Sequence, residues 1–228
     1  MNLHGGSRQF RQGFLALRRD LLAMGYLAEE LLRTSMEALV EGDAGKADAV
    51  ILADRELDAM EVEVDEAGIN LLALHQPVAS DLRVITMILR IANDLERVGD
   101  HAVNIAETVH HLHRAPAPLT SFPEVEEMAR ISGRMLTRAL DSFVRGDAQG
   151  AREVCRTDDR VDALHRGGFQ KLLARMTGDP GWVGTGTSLI LVGRNLERVA
   201  DLATNVAEDV VFMVEGRSIK HGAGRLED

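Results

Sequence analysis

Leu95–Glu107 reads LERVGDHAVNIAE, and Leu196–Glu208 reads LERVADLATNVAE. Nine of these thirteen positions are identical at an offset of 101 residues. Upstream, Glu41–Val50 (EGDAGKADAV) matches Arg145–Val154 (RGDAQGAREV) at an offset of 104, and there Asp54, Asp58 and Ala59 fall on Asp158, Asp162 and Ala163. Two similar halves of about 100 residues imply duplication of one supersecondary unit. The narrowing offset puts a deletion of three residues between Ala163 and Leu196, most simply near 178–186.

The punctuation repeats as well. A first apolar-periodic run, Phe10 to Glu41, stops at Gly42-Asp43, a turn pair. A second runs from Ala44 to His75, before Pro77, and a third from near Ser80 to Arg114. Ser80 is expected to cap that third helix, with Asp81 in its first turn at the positive end of the dipole. Ala115–Pro123 holds three prolines and no periodicity. The pattern then recurs over Glu124–Arg145, Asp147–Thr177 and about Thr187–Gly216. Long helices joined by short loops fit antiparallel bundles. The expected fold is therefore all-α, two homologous antiparallel three-helix bundles in tandem: 7–114, a Pro-rich linker 115–123, then 124–216 and a frayed tail 217–228.

Composition agrees. Of 228 residues 45% are apolar, 4% aromatic and five are proline, a mix that favours helix over strand. The net charge of −10 argues against nucleic acid as a partner, because no basic patch is set apart; Arg18-Arg19 reads as an ordinary solvated helix face. One cysteine, Cys155, excludes an internal disulfide and fits a reducing compartment. No apolar run approaches the roughly 18 residues of a membrane span, and no signal peptide opens the chain.

The polar faces carry the chemistry. At about 100° per residue, Glu96, Asp100, Asn104 and Glu107 form one stripe roughly opposite Leu95, Val98, Ala102, Ile105 and Val109. Glu197, Asp201, Asn205 and Glu208 repeat it. Asp54, Asp58, Glu61 and Asp65 line another face; its copy is Asp158, Asp162 and His165, with Phe169 in place of Asp65. Such a stripe is ordinarily solvated, but solvated faces mix signs, and like charges at i,i+4 cost about 0.2–0.5 kcal/mol each. Arg97 and Arg198 project about 100° away. Repeated like-charge pairs in four helices point to a multivalent cation, and oxygen donors suit hard or borderline ions.

Asp81-Leu-Arg followed by Asp94–Glu107, and again Asn195–Glu208, resembles the signature of the PhoU family, over roughly 10–216. The resemblance implies two similar three-helix bundles in a cytoplasmic, often homodimeric protein. It implies a negative regulator of phosphate uptake and of the phosphate-starvation response, linking the ATPase of a phosphate ABC transporter to a sensor histidine kinase, without enzymatic activity. It further implies metal at Glu96/Asp100 and Glu197/Asp201, with Asp54/Asp58 and Asp158/Asp162 from the partner helices. Fe, Mn, Mg, Ca and Zn all remain open. Glu61, Asp65, Asn104, His101, His165 and Asn205 are candidate further ligands or supporting groups, although His101, about 100° from Asp100 and off the stripe, reads first as a helix-surface histidine. Since Leu202 stands for His101 and Phe169 for Asp65, unequal sites are expected, the first fuller. The alternative to an adaptor is a metal-dependent hydrolase of phosphate esters, using two ions held by these carboxylates.

Overall fold

The computed structural model describes residues 7–112 and 122–220. The helices are α1 (Arg8–Glu41), α2 (Ala44–His75), α3 (Ala79–Leu112), α4 (Pro123–Arg145), α5 (Ala148–Gly178) and α6 (Val183–Glu215), with a 3₁₀ turn at Pro180–Trp182. Among the described residues there is no strand.

The duplicated turn works identically in both halves. Gly42 (φ 66°) and Gly146 (φ 65°) take the left-handed conformation that ends α1 and α4, a conformation that is strained for residues bearing a Cβ. Asp43 then caps α2 by accepting from Lys46 N at 3.1 Å, and Asp147 caps α5 by accepting from the equivalent Gly150 N at 2.9 Å.

Three boundaries differ from the expected ones. Ser80 does not cap α3; it lies in the first turn of a helix that begins at Ala79, because Gln76 (φ 44°) and Ala79 (φ 49°) both turn left-handed to reverse the chain around Pro77. Pro123 belongs to α4, where its missing N–H costs nothing at the first helical position. The end of the third run at 113–114 and the linker up to 121 lie outside the described residues. Finally, α6 starts at Val183 rather than Thr187. Asp179 accepts from Gly181 N at 3.0 Å, and buried Trp182 seats under the Arg175 guanidinium at 3.4 Å, fixing the turn.

Within each half the three helices pack on one another: α1, α2 and α3, then α4, α5 and α6. The halves join chiefly through α3 against α6. Sixteen residues are buried in each of these two helices, against six in each of α2 and α5. Thus α3 and α6 form the centre, and α2 and α5 are outer helices. Arg18 is not merely solvated: its guanidinium lies 5.6 Å from the Phe143 ring and donates to Val144 O at 3.4 Å, tying α1 to α4.

One apolar core runs through both bundles, from Phe14 and Ile88 on one side to Leu196 and Val210 on the other. The halves should therefore unfold together. Leu95 and Leu196 are fully buried counterparts, and truncating either to Ala should cost about 2–5 kcal/mol. Calorimetry should show a single transition lowered by both variants; two separable transitions, each sensitive to one variant, would contradict a shared core.

Candidate metal-binding stripes

The outer helices turn their acidic faces inward. Asp54 on α2 is pushed up to about 6, first by burial and then by Asp58 and by Asp100 of α3. Glu96 on α3 is raised by burial and then by Asp100, Asp58, Glu61 and Asp54. Glu61 is raised by burial, Asp65 and Asp58. Coulomb repulsion of this strength falls off with distance, so the α2 and α3 carboxylates form one anionic seam. The second half repeats it: Asp158 on α5 is pushed up to about 6 by burial, then by Asp201, Asp162, Asp159 and Glu197.

Close helix approach creates the first seam. A Cβ at Gly99 would lie 2.5 Å from both Asp54 Oδ1 and Leu57 Cδ2, so α3 offers bare backbone where α2 presses in. Asp54 Oδ1 is buried there with no hydrogen-bond partner. An orphaned carboxylate oxygen is costly, and an all-carboxylate donor set is chemically suited to a hard cation. Among the described residues no three His, Cys, Asp or Glu side chains already converge as a metal cage. Asp58 and Asp100 are exposed and free to rotate, so holding an ion would draw them in.

The seams are unequal. Among the described residues no Lys, Arg or His ion pair reaches Asp54, Asp58, Glu61, Glu96 or Asp100. In the second half Arg198 folds back onto the stripe, 2.9 Å from Asp201 Oδ2 and 3.8 Å from Glu197 Oε2, and Arg166 lies 3.3 Å from Asp162 Oδ2. The helical angle puts the Arg198 Cβ off the stripe, but a long flexible side chain spans one turn. His165 packs toward α6, with Cδ2 3.6 Å from where a Cβ on Gly193 would sit. Phe169 is 40% exposed where its counterpart is Asp65.

Three further candidates face elsewhere. His101 is not a surface histidine: its Nδ1 meets Asn195 Oδ1 at 2.9 Å across α3 and α6. Asn104 donates to the Asp100 carbonyl at 2.8 Å. Asn205 hydrogen-bonds Asp94, which is pushed up to about 6 by burial and by Asp209, against the opposing pull of Arg97 and Lys220. Asp209, 1% exposed, has Arg90 Nη2 and Lys220 Nζ each at 3.2 Å. The His101–Asn195, Asn205–Asp94 and Arg90–Asp209 contacts fasten α3 to α6, and Lys220 holds down the start of the expected frayed tail. Sequence reasoning did not single out Asp209; the signal available was its place on the apolar side, beside Val206 and Val210.

A PhoU-domain family model matches residues 21–109 and 125–210. The chain belongs to the PhoU family. Among PhoU relatives, the phosphate-specific transport system accessory protein PhoU homolog of Pseudomonas aeruginosa is 34% identical over 99% of this chain and 93% of its own length. The protein of the same name from Clostridium acetobutylicum is 36% identical over 92% of this chain and 96% of its own. The crystal structure of PhoU from Pseudomonas aeruginosa superposes with a TM-score of 0.88 at 35% identity, covering 91% of this chain and all of that one. That of the phosphate transport system regulatory protein PhoU from Streptococcus pneumoniae gives 0.86 at 26% identity, covering 92% and 99%.

Asp54, Asp94 and Asp158 contribute to the pH response of this PhoU protein, with Glu29, Glu61, Glu96 and Asp209 raised in the same direction by burial. The native values of about 6 for the first three exceed the ordinary 3.8, so between about pH 4 and 6 the folded chain binds more protons than the unfolded one. Stability is then favoured at the acid end of this window and lost as pH rises through it. In chelator, Tm should fall from pH 5 to pH 7.5, and D54N/D158N should flatten the slope. A Tm that rises over this range would contradict the buried anions.

Proposed function

We propose that this chain is a non-enzymatic negative regulator of phosphate uptake and of the phosphate-starvation response. It acts in the cytoplasm, as a homodimer, linking the ATPase of a phosphate ABC transporter to a sensor histidine kinase. The observation that carries this reading is likeness over nearly the full length to proteins named accessory or regulatory proteins of phosphate transport. Among the described residues no helix is long and apolar enough to cross a membrane, and contact with a transporter would be made through a surface. Removing the protein from its host should derepress alkaline phosphatase in phosphate-rich medium, and re-expression should silence it; unchanged reporter activity would reject the reading.

The reading includes metal on the seams. Asp54, Asp58, Glu96 and Asp100 would hold an ion in the first half, aided by Glu61 and Asp65. Asp158, Asp162, Glu197 and Asp201 would do so in the second, near His165. An ion there supplies positive charge that offsets the carboxylate repulsion and ties the outer helix to the central one. Orphaned Asp54 Oδ1 and the unopposed acids of the first half support tighter binding there, because Arg198 and Arg166 already neutralise part of the second. Titration of the whole chain with Mn²⁺ or Fe should show E96Q/D100N removing the tighter phase and E197Q/D201N the weaker one. Equal losses would reject the inequality.

A further inference from the structure

On the face away from the seams, α1 and α4 touch over only part of their length. They are clamped where Leu140 Cδ1 lies 2.8 Å from where a Cβ on Gly25 would sit and where Thr137 donates to Glu29. Beyond that clamp they part and leave a groove of about 620 Å³ between Tyr26–Glu41 and Glu126–Thr137. Its apolar lining includes Tyr26, Leu32, Met36, Val40 and Ala129. Tyr26 is 71% exposed and Val40 62%, large side chains open to water.

The rim is acidic. Five glutamates line the groove against two arginines, Arg33 and Arg130. Both arginines are already held by their own helix: Arg33 Nε donates to Glu30 at 3.1 Å and the same guanidinium meets Glu37, while Arg130 Nε donates to Glu127 at 2.6 Å. Lys46 of α2 stands 2.7 Å from Glu41 and 3.6 Å from Glu37, so against three cations the five glutamates still leave the groove an apolar floor between edges of net negative charge. Along Tyr26–Glu41 it runs about 24 Å at the rise of a helix, long enough for an amphipathic helix of about 16 residues to lay its apolar face inside.

Charge selects the occupant. A second copy would bring two acidic rims together, and like charges across an interface are penalised. An anionic lipid surface meets the same repulsion. The geometry points to a partner protein that presents a cationic amphipathic helix, its apolar side chains on Tyr26, Met36 and Val40 and its Lys or Arg side chains on the glutamates. This docking needs neither metal on the seams nor a role in phosphate control, so its test and the reporter test fail separately.

The test is fluorescence anisotropy of the full chain with a labelled amphipathic Leu–Lys helix of about 16 residues, beside its Leu–Glu counterpart. The cationic probe should bind, more weakly as salt rises, and the anionic one should not. Val40→Glu should weaken binding about tenfold or more, as expected for an apolar anchor, and E37K/E41K should do the same by reversing the rim. Val40→Glu adds negative charge, so indiscriminate attraction to an acidic protein would persist or strengthen in it. Because Val40 is exposed the variant keeps the core, and Tyr26→Glu serves as a second probe of the same floor. Absence of binding, equal binding by Val40→Glu and Tyr26→Glu, or a wild-type dimer in sedimentation that Val40→Glu makes monomeric would each overturn the proposal.

Discussion

The packing of α3 against α6 is the contact on which the rest of the molecule depends. Small residues recur at the centre of both helices: Ala92, Ala102 and Ala106 on one, Ala200, Ala203 and Ala207 on the other, all buried. Small side chains let helices approach closely, and the larger Leu95, Ile105, Leu196 and Val206 fill the spaces between. Onto this pair the outer helices lay their acidic faces. Polar contacts fix its alignment: a hydrogen bond between His101 and Asn195, and an ion pair between Asp209 and Arg90. Taking Asp209 out of water is costly, and two cations offset that cost; removing either would leave the charge undercompensated.

The same arrangement explains why the seams are anionic yet built into a stable protein. Each carboxylate sits at the boundary between an outer helix and a central one, half in water, where repulsion is screened but not abolished. The first half keeps that repulsion unrelieved, and the second relieves part of it internally with Arg198 and Arg166. Duplication supplied two copies of one arrangement. Divergence then left one of them with open charge.

Much of this was legible in the sequence. Periodicity and the Gly-Asp turns mark six helices, because a 3.6-residue repeat and a left-handed glycine are local signals. The acidic stripes were also legible from helical spacing, whereas their facing in pairs followed from the resemblance to the PhoU family rather than from spacing. Other features were not. Periodicity identifies an apolar face but not the helix that covers it, so His101 read as a surface residue although Asn195, 94 positions away, receives it. Arg198 read as off the stripe because a helical wheel places Cβ atoms rather than guanidinium groups. The α1–α4 groove leaves no local trace, because it arises where two helices diverge, which depends on how the halves sit together.

Joining the halves in one chain has a consequence for how the protein is assembled. Each half alone would expose the apolar face that α3 or α6 now buries, and would be a sticky, concentration-dependent associating unit. A covalent connection turns that encounter into an intramolecular one, with effective concentrations on the order of millimolar for short connections. The pairing then no longer depends on how much protein the cell makes. It also frees the two surfaces from having to be self-complementary, so His101 can face Asn195 while Asp209 faces Arg90, with neither contact repeated by its counterparts.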